Sequence, residues 1–141
     1  MSDDLQRFLD AQEPVLPAVL AELRTGRKRT HWMCFVFPQL AGLGHSAMAQ
    51  FYAIADLGEA RRYLDHPVLG PRLVQCTDII NAIEGKTAHD IFGSPDDLKL
   101  RSSMTLFAAA ANDPAPFETA LARYFDATPD PATCDILVRQ G

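Results

Sequence analysis

Signals that start and stop helices recur along this 141-residue chain and leave little room for another kind of fold. Ten prolines and eight glycines separate stretches whose apolar residues repeat with the helical period. Leu5, Phe8, Leu9 and Gln12 share one helical face behind Ser2 or Asp3 as N-cap, and Pro14 ends or bends that helix. Leu16, Val19, Leu20 and Leu23 line the next, with Gly26 behind it as a C-cap. Ser46 is placed to cap a helix through Ala47, Met48, Phe51 and Tyr52, and Asp56 with Glu59 resembles the start of a capping box. The clearest stripe is Leu73, Cys76, Ile80 and Ile83, widened by Val74 and Ile79, with Pro71 in its first turn and Gly85 closing it. Thr87 and Asp90 open a short turn that ends at Gly93. Ser94-Pro95-Asp96-Asp97 reads as cap, first-position proline and first-turn acids ahead of Leu98, Met104, Leu106 and Phe107. Asp113-Pro114 and Asp130-Pro131 open the last two helices.

Residues 31–37, HWMCFVF, are the one stretch whose pattern is silent. A short apolar run fits a buried strand or a buried helix equally well. No second strand is available to pair with it, and a strand alone is unstable. The run is therefore read as a buried helix. The expected architecture is all-α: a single compact domain over residues 1–141, with about seven helices and short loops. No internal repeat, low-complexity tract or linker interrupts it.

Hydrophobic residues make up 48% and charged residues 22% of the chain, the composition of a folded globular protein. A net charge of −5 argues against a general nucleic-acid binder, which needs a basic surface. No apolar run approaches the roughly 20 residues of a membrane span. The chain begins Ser2-Asp3-Asp4 after its methionine, acidic where a signal peptide is basic, so a cytoplasmic location is expected. Cys34, Cys76 and Cys134 lie far apart with no CxxC pair, which points to free, mostly buried thiols in a reducing compartment.

Four stretches taken together, RFLDAQ, HWMCFVFPQLAGLGHS, YAIADLGEARRYLDHPVLGPRL and IFGSPDDLKLRSSMTLF, resemble the bacterial family known as domain of unknown function 1810. The likeness runs from Leu5 to about Leu137, with the motifs in order. The family pattern carries a second tryptophan where Cys34 stands here. The resemblance implies a small, mostly helical, single-domain protein and no particular reaction. Members are sometimes labelled calpastatin-like, but calpastatin is disordered and this composition is that of a folded domain.

The residues that can carry chemistry fall into a few clusters. Arg24, Arg27, Lys28 and Arg29 precede His31 and Trp32, the only tryptophan. Cations beside an indole suit a flat anionic ligand, and equally suit a solvated loop at a helix C-terminus. In PQLAGLGHS, Gly42 and Gly44 would let backbone N–H groups approach a ligand, and Ser46 begins a helix. That is the logic of a phosphate cradle, with a plain turn and N-cap as the alternative. No Walker or dinucleotide pattern is present. Gln39 would read a ligand edge or satisfy loop carbonyls. His66 in HPVLG suits acid–base work or backbone capping. His31 and Cys34 lie three apart, but no further ligand motif accompanies them, and no metal site or cofactor is expected.

The stretch SPDDLKLRSSMTLF places Ser102, Ser103 and Thr105 inside a helix, where hydroxyl residues are usually out of place. Such a local conflict often marks function. Asp97, Lys99 and Ser103 are therefore candidate site residues, and Asp96, Lys99 and Ser103 lie near one another on a helix. The leading expectation is a pocket for a small anion carrying phosphate or carboxylate, nucleotides included, walled by Lys28, His31, Trp32, Gln39, the Gly42–Gly44 turn, Ser46, His66, Asp97, Lys99 and Ser103. A non-enzymatic protein-interaction module is the second reading. A hydrolase or transferase using a histidine with a serine or acid is the third. Neither nucleic acid nor membrane is expected as a partner.

Overall fold

The computed structural model describes residues 5–141, and the expected caps Ser2 and Asp3 lie outside them. The described residues form ten helices and no strands. In chain order they are α1 (Gln6–Gln12), α2 (Leu16–Arg24), α3 (Met33–Val36), α4 (Ala47–Phe51), α5 (Leu57–Asp65), α6 (Leu69–Asn81), α7 (Ala88–Phe92), α8 (Asp96–Ala110), α9 (Ala115–Phe125) and α10 (Pro131–Gln140). The all-α expectation holds, while the count of about seven is too low. Three of the ten, α3, α4 and α7, are single turns of 4, 5 and 5 residues; α3 and α4 fall where helices were expected, α7 where a turn was. One turn is too short for apolar periodicity to tell a helix from a bend. The ambiguous run at 31–37 contains α3, and among the described residues the only ladder-like pairing is an isolated parallel bridge between Leu40 and Ile54.

Local chemistry explains most boundaries. Ser46 Oγ accepts from Ala49 N at 3.0 Å, Asp56 Oδ1 from Glu59 N at 2.8 Å, and Asp130 Oδ2 from Thr133 N at 3.1 Å. Thr87 and Asp90 make a reciprocal capping box. Gly26 follows α2 at φ +74°, the left-handed conformation expected of a helix-ending glycine. The start of α8 departs from expectation. Ser94 does not cap it, and Pro95 occupies the cap position instead. The chain turns back so that Gly93 O and Pro95 O accept the first helical N–H groups, from Asp97 and Leu98. In HPVLGP, Gly70 permits close packing of the α5–α6 corner: a β-carbon there would lie 2.0 Å from Leu64 O.

α8 is the central element, packed against α5, α7, α9 and α10. Its residues Leu100, Met104, Leu106 and Phe107 are all fully buried. Phe107 meets the rings of Tyr63 and Phe117, and Tyr63 meets Phe8 edge-on. A second aromatic group joins Trp32, Phe37 and Phe92. The buried side chain of Gln12 ties these layers together. Its amide donates to Phe35 O at 2.7 Å and Tyr63 Oη at 3.1 Å, and accepts from Arg72. Among the described residues no helix is long and apolar enough to cross a membrane.

The thiols are all unpaired, but only Cys76 is buried; Cys34 and Cys134 are partly exposed. The expectation of mostly buried thiols is corrected, because Cys34 and Cys134 lie on short or peripheral helices that turn one side to solvent. Burial pushes the Cys76 thiol up to about 12, so it is not a thiolate at neutral pH.

Candidate functional site

The basic segment after α2 is held down by one carboxylate. Glu22 lies on the apolar face of α2 with Val19 and Leu23, and it is largely buried. Its Oε1 accepts from Arg29 N at 2.7 Å, Thr30 N at 3.0 Å and Trp32 Nε1 at 3.0 Å, and its Oε2 accepts from Thr30 Oγ1 at 2.7 Å. Burial alone would raise the pKa of this acid. The hydrogen bonds from Arg29, Thr30 and Trp32 outweigh it and bring the value from 4.5 to about 2. A second fastening, Lys28 N to Ile91 O at 2.7 Å, lays the segment along α7.

These two anchors direct Lys28 inward. Its side chain is only 7% exposed, and its Nζ stands 2.9 Å from Asp96 Oδ2 at the start of α8. The same ammonium lies 5.1 Å from the centre of the Trp32 ring, a cation–π contact. Lys99, one turn along α8, reaches the other oxygen of Asp96 at 3.5 Å. Lys28, Asp96 and Lys99 form part of the wall of a cavity of about 270 Å³, completed by His31, Trp32, Met33, Cys34, Phe35 and Met48. Two cations thus share one carboxylate beside an apolar wall.

Of the expected site residues, Lys28, His31, Trp32 and Lys99 meet here. The others do not line this cavity. Gln39 gives its carbonyl to Ile54 N at 2.8 Å and so serves the Leu40–Ile54 bridge. Gly42 takes φ +102° in the turn before α4. Gly44 makes room for Ala49, whose β-carbon would lie 2.4 Å from a β-carbon added there. Ser46 caps α4. His66 Nδ1 accepts from Val68 N at 3.1 Å and Leu69 N at 3.2 Å, satisfying the start of α6. Asp97 turns towards α7, where its Oδ2 lies 3.4 Å from His89 Nδ1. Ser103 is wholly buried and its hydroxyl has no hydrogen-bond partner. Of the four basic residues at 24–29, only Lys28 enters the cavity; Arg24 lies by a separate depression with Lys86.

The hydroxyls of α8 resolve mainly as structure. Ser102 Oγ donates to Leu98 O and to Asp130 Oδ2, and Thr105 Oγ1 donates to Arg101 O while accepting from Asp130 N. They fasten α8 to the start of α10. Sequence reasoning passed over Glu22 as a site-building residue and ranked Asp97 above Asp96. An acid at 22 on the stripe of Val19 and Leu23 was the available signal, since a glutamate on an apolar helical face needs partners. Met33, Phe35 and Met48 had no such signal. Among the described residues no three His, Cys, Asp or Glu side chains converge to hold a metal ion. No histidine there hydrogen-bonds a serine, threonine or cysteine side chain.

The chain is similar to the conserved hypothetical protein Rv1873 from Mycobacterium tuberculosis, whose crystal structure matches with a TM-score of 0.95. The two are 52% identical, and the alignment covers 96% of each chain. No curated protein matches the sequence. A family model described as protein of unknown function, DUF1810, matches residues 2–137. Nearly the whole helical body, the lysine-lined cavity included, falls within that match, and the chain belongs to the DUF1810 family.

Proposed function

We propose that this protein is a binding domain for a small anionic molecule, and that the cavity beside Trp32 is its site. One observation carries the reading: Lys28 and Lys99 converge on the single carboxylate of Asp96 at the wall of a hollow whose remaining lining, apart from His31 and Cys34, is apolar. Placing Lys28 there costs desolvation of its ammonium, which Asp96 and the indole only partly offset. A core that needed only stability would fill this position with an apolar side chain at less expense. The surplus positive charge instead suits an anion, through phosphate or carboxylate oxygens. The three unpaired cysteines support a reducing, cytoplasmic setting.

A ligand that binds the folded state raises its melting temperature. Thermal-shift screening against carboxylates, sugar phosphates and nucleotides is expected to give a rise of several degrees with at least one anion. Substituting Lys99→Gln abolishes that rise without lowering the melting temperature of the free protein by more than a degree or two. A flat response to every anion overturns the proposal.

A protein-interaction role is the second reading, favoured by α4. That helix buries none of its residues and exposes Met48 by 49% and Phe51 by 57%. Phe51→Ser would then abolish capture of a partner and leave anion binding unchanged.

A further inference from the structure

We infer that the ligand of this cavity is a small monocarboxylate with an apolar body, an aryl or branched-alkyl carboxylic acid, rather than a phosphate ester. The inference rests on the anion-binding reading above and names its substrate class.

Three properties of the wall converge on that class. The first is charge. Two ammonium groups, one carboxylate and the imidazole of His31 line the hollow, leaving a surplus of one positive charge when the first three are ionised and His31 is neutral. A carboxylate brings one negative charge and neutralises it. A phosphate monoester brings close to two at neutral pH and would leave the enclosed site negative, beside Asp96. The second is the kind of donor. Phosphates are commonly gripped by bidentate guanidinium groups or by successive backbone N–H groups. No arginine lines the hollow, the Gly42–Gly44 turn stands outside it, and the Trp32 N–H is already given to Glu22. What remains are the His31 imidazole and the lysine ammonium groups, which act as point charges on a single acid. The third is shape. The volume of about 270 Å³ lies just below the roughly 300–1,000 Å³ of sites for drug-sized ligands. Beside His31 and Cys34, the remaining wall is Trp32, Met33, Phe35 and Met48, adaptable thioethers among rigid rings.

The two lysines have different parts. Lys28 holds Asp96 at 2.9 Å and is nearly enclosed, so the pair is a fixed framework. Lys99 is 27% exposed and its contact with Asp96 is longer, at 3.5 Å. Lys99 is the hand free to take the ligand's carboxylate, while the apolar body lies against Met33, Phe35 and Met48.

The test uses the full chain and three probes that share one ring: benzoate, phenyl phosphate and the uncharged benzyl alcohol. Binding is read by isothermal titration and by the fluorescence of Trp32, which as the only tryptophan reports this site alone. Benzoate is expected to bind and alter the emission, at least tenfold more tightly than either other probe. Lys99→Gln should weaken benzoate tenfold or more while leaving the unliganded spectrum and melting temperature in place. Asp96→Asn, which raises the surplus to two, should reverse the preference towards phenyl phosphate. If phenyl phosphate binds the unmodified protein more tightly than benzoate, the carboxylate assignment falls and the anion site stands. If benzyl alcohol binds as well as benzoate, charge is not what is recognised and the assignment falls. If neither anion binds, the assignment falls, and the anion site falls with it when the thermal-shift screen is also flat.

Discussion

Glu22 shows how one residue decides the course of a loop. A buried carboxylate that accepts four hydrogen bonds must stay ionised to do so, and its depressed pKa expresses that requirement. Burial works in the opposite direction and loses. Because the folded value lies below the ordinary one, the stabilisation is complete above about pH 4.5 and fades as pH falls towards 2. The displacement from 4.5 to about 2 corresponds to roughly 3 kcal/mol at neutral pH. Glu22→Gln keeps one acceptor and loses the charge, so a destabilisation of up to about that size is expected at pH 7. Urea titrations between pH 7 and 2 check it. The acid-side loss of stability in the unmodified protein should be shallower in the variant. An identical acid limb in both would show that Glu22 is not the group responsible. With the loop released, Lys28 should also leave the cavity, linking this carboxylate to the site indirectly.

At the scale of elements, caps matter in proportion to what they join. Ser46 caps an exposed single turn. Asp130 caps α10, and its Oδ2 also receives Ser102 Oγ and Thr133 Oγ1, at 3.1 and 2.6 Å. Arg101 adds bonds to Thr128 O and Pro129 O in the same joint. Asp130→Ala therefore removes a helix cap and a tie between two helices at once. A loss of about 2 kcal/mol is expected, from the upper end of cap substitutions. Ser46→Ala should cost under about 1 kcal/mol. Chemical denaturation of the two variants side by side measures the contrast. Equal losses would mean that the α8–α10 joint contributes nothing beyond an ordinary cap. Ser102 and Thr105 of α8 belong to this scale: Asp130, at the start of α10, takes up the first with its carboxylate and the second with its N–H.

At the scale of the molecule, the aromatic contacts tie α1, α5, α8 and α9 into one unit through Phe8, Tyr63, Phe107 and Phe117. Phe107 stands in the middle of that series and is fully buried. Phe107→Ala is expected to cost about 3–5 kcal/mol, combining lost transfer energy with an unfilled cavity. Trp32 sits in the other aromatic group, with Phe37 and Phe92. If the two groups belong to a single cooperative core, unfolding followed by tryptophan fluorescence and by far-ultraviolet dichroism gives coincident transitions, and Phe107→Ala shifts both equally. A fluorescence transition that stays in place while the dichroism moves would divide the core in two.

Short-range chemistry along the chain is enough to set the class of fold and most of the places where helices begin and end. Those outcomes depend on neighbours within a turn: a Ser, Thr or Asp oxygen reaching an amide three residues on, or a glycine in the left-handed region as at Gly26. Single-turn helices such as α3 and α7 lie below the length at which periodicity speaks. The tertiary structure alone decided which polar groups meet. Lys28 reaches Asp96 with five helices, α3 to α7, between them in the chain, Lys99 joins the same carboxylate, Met48 comes from a further stretch, and Gln39, Ser46 and His66 are drawn off into hydrogen bonds of their own neighbourhoods. Residues distant in sequence become neighbours only when packing of the apolar faces fixes how the helices cross, and a cap or a ligand contact can be made by the same side chain until that packing chooses between them.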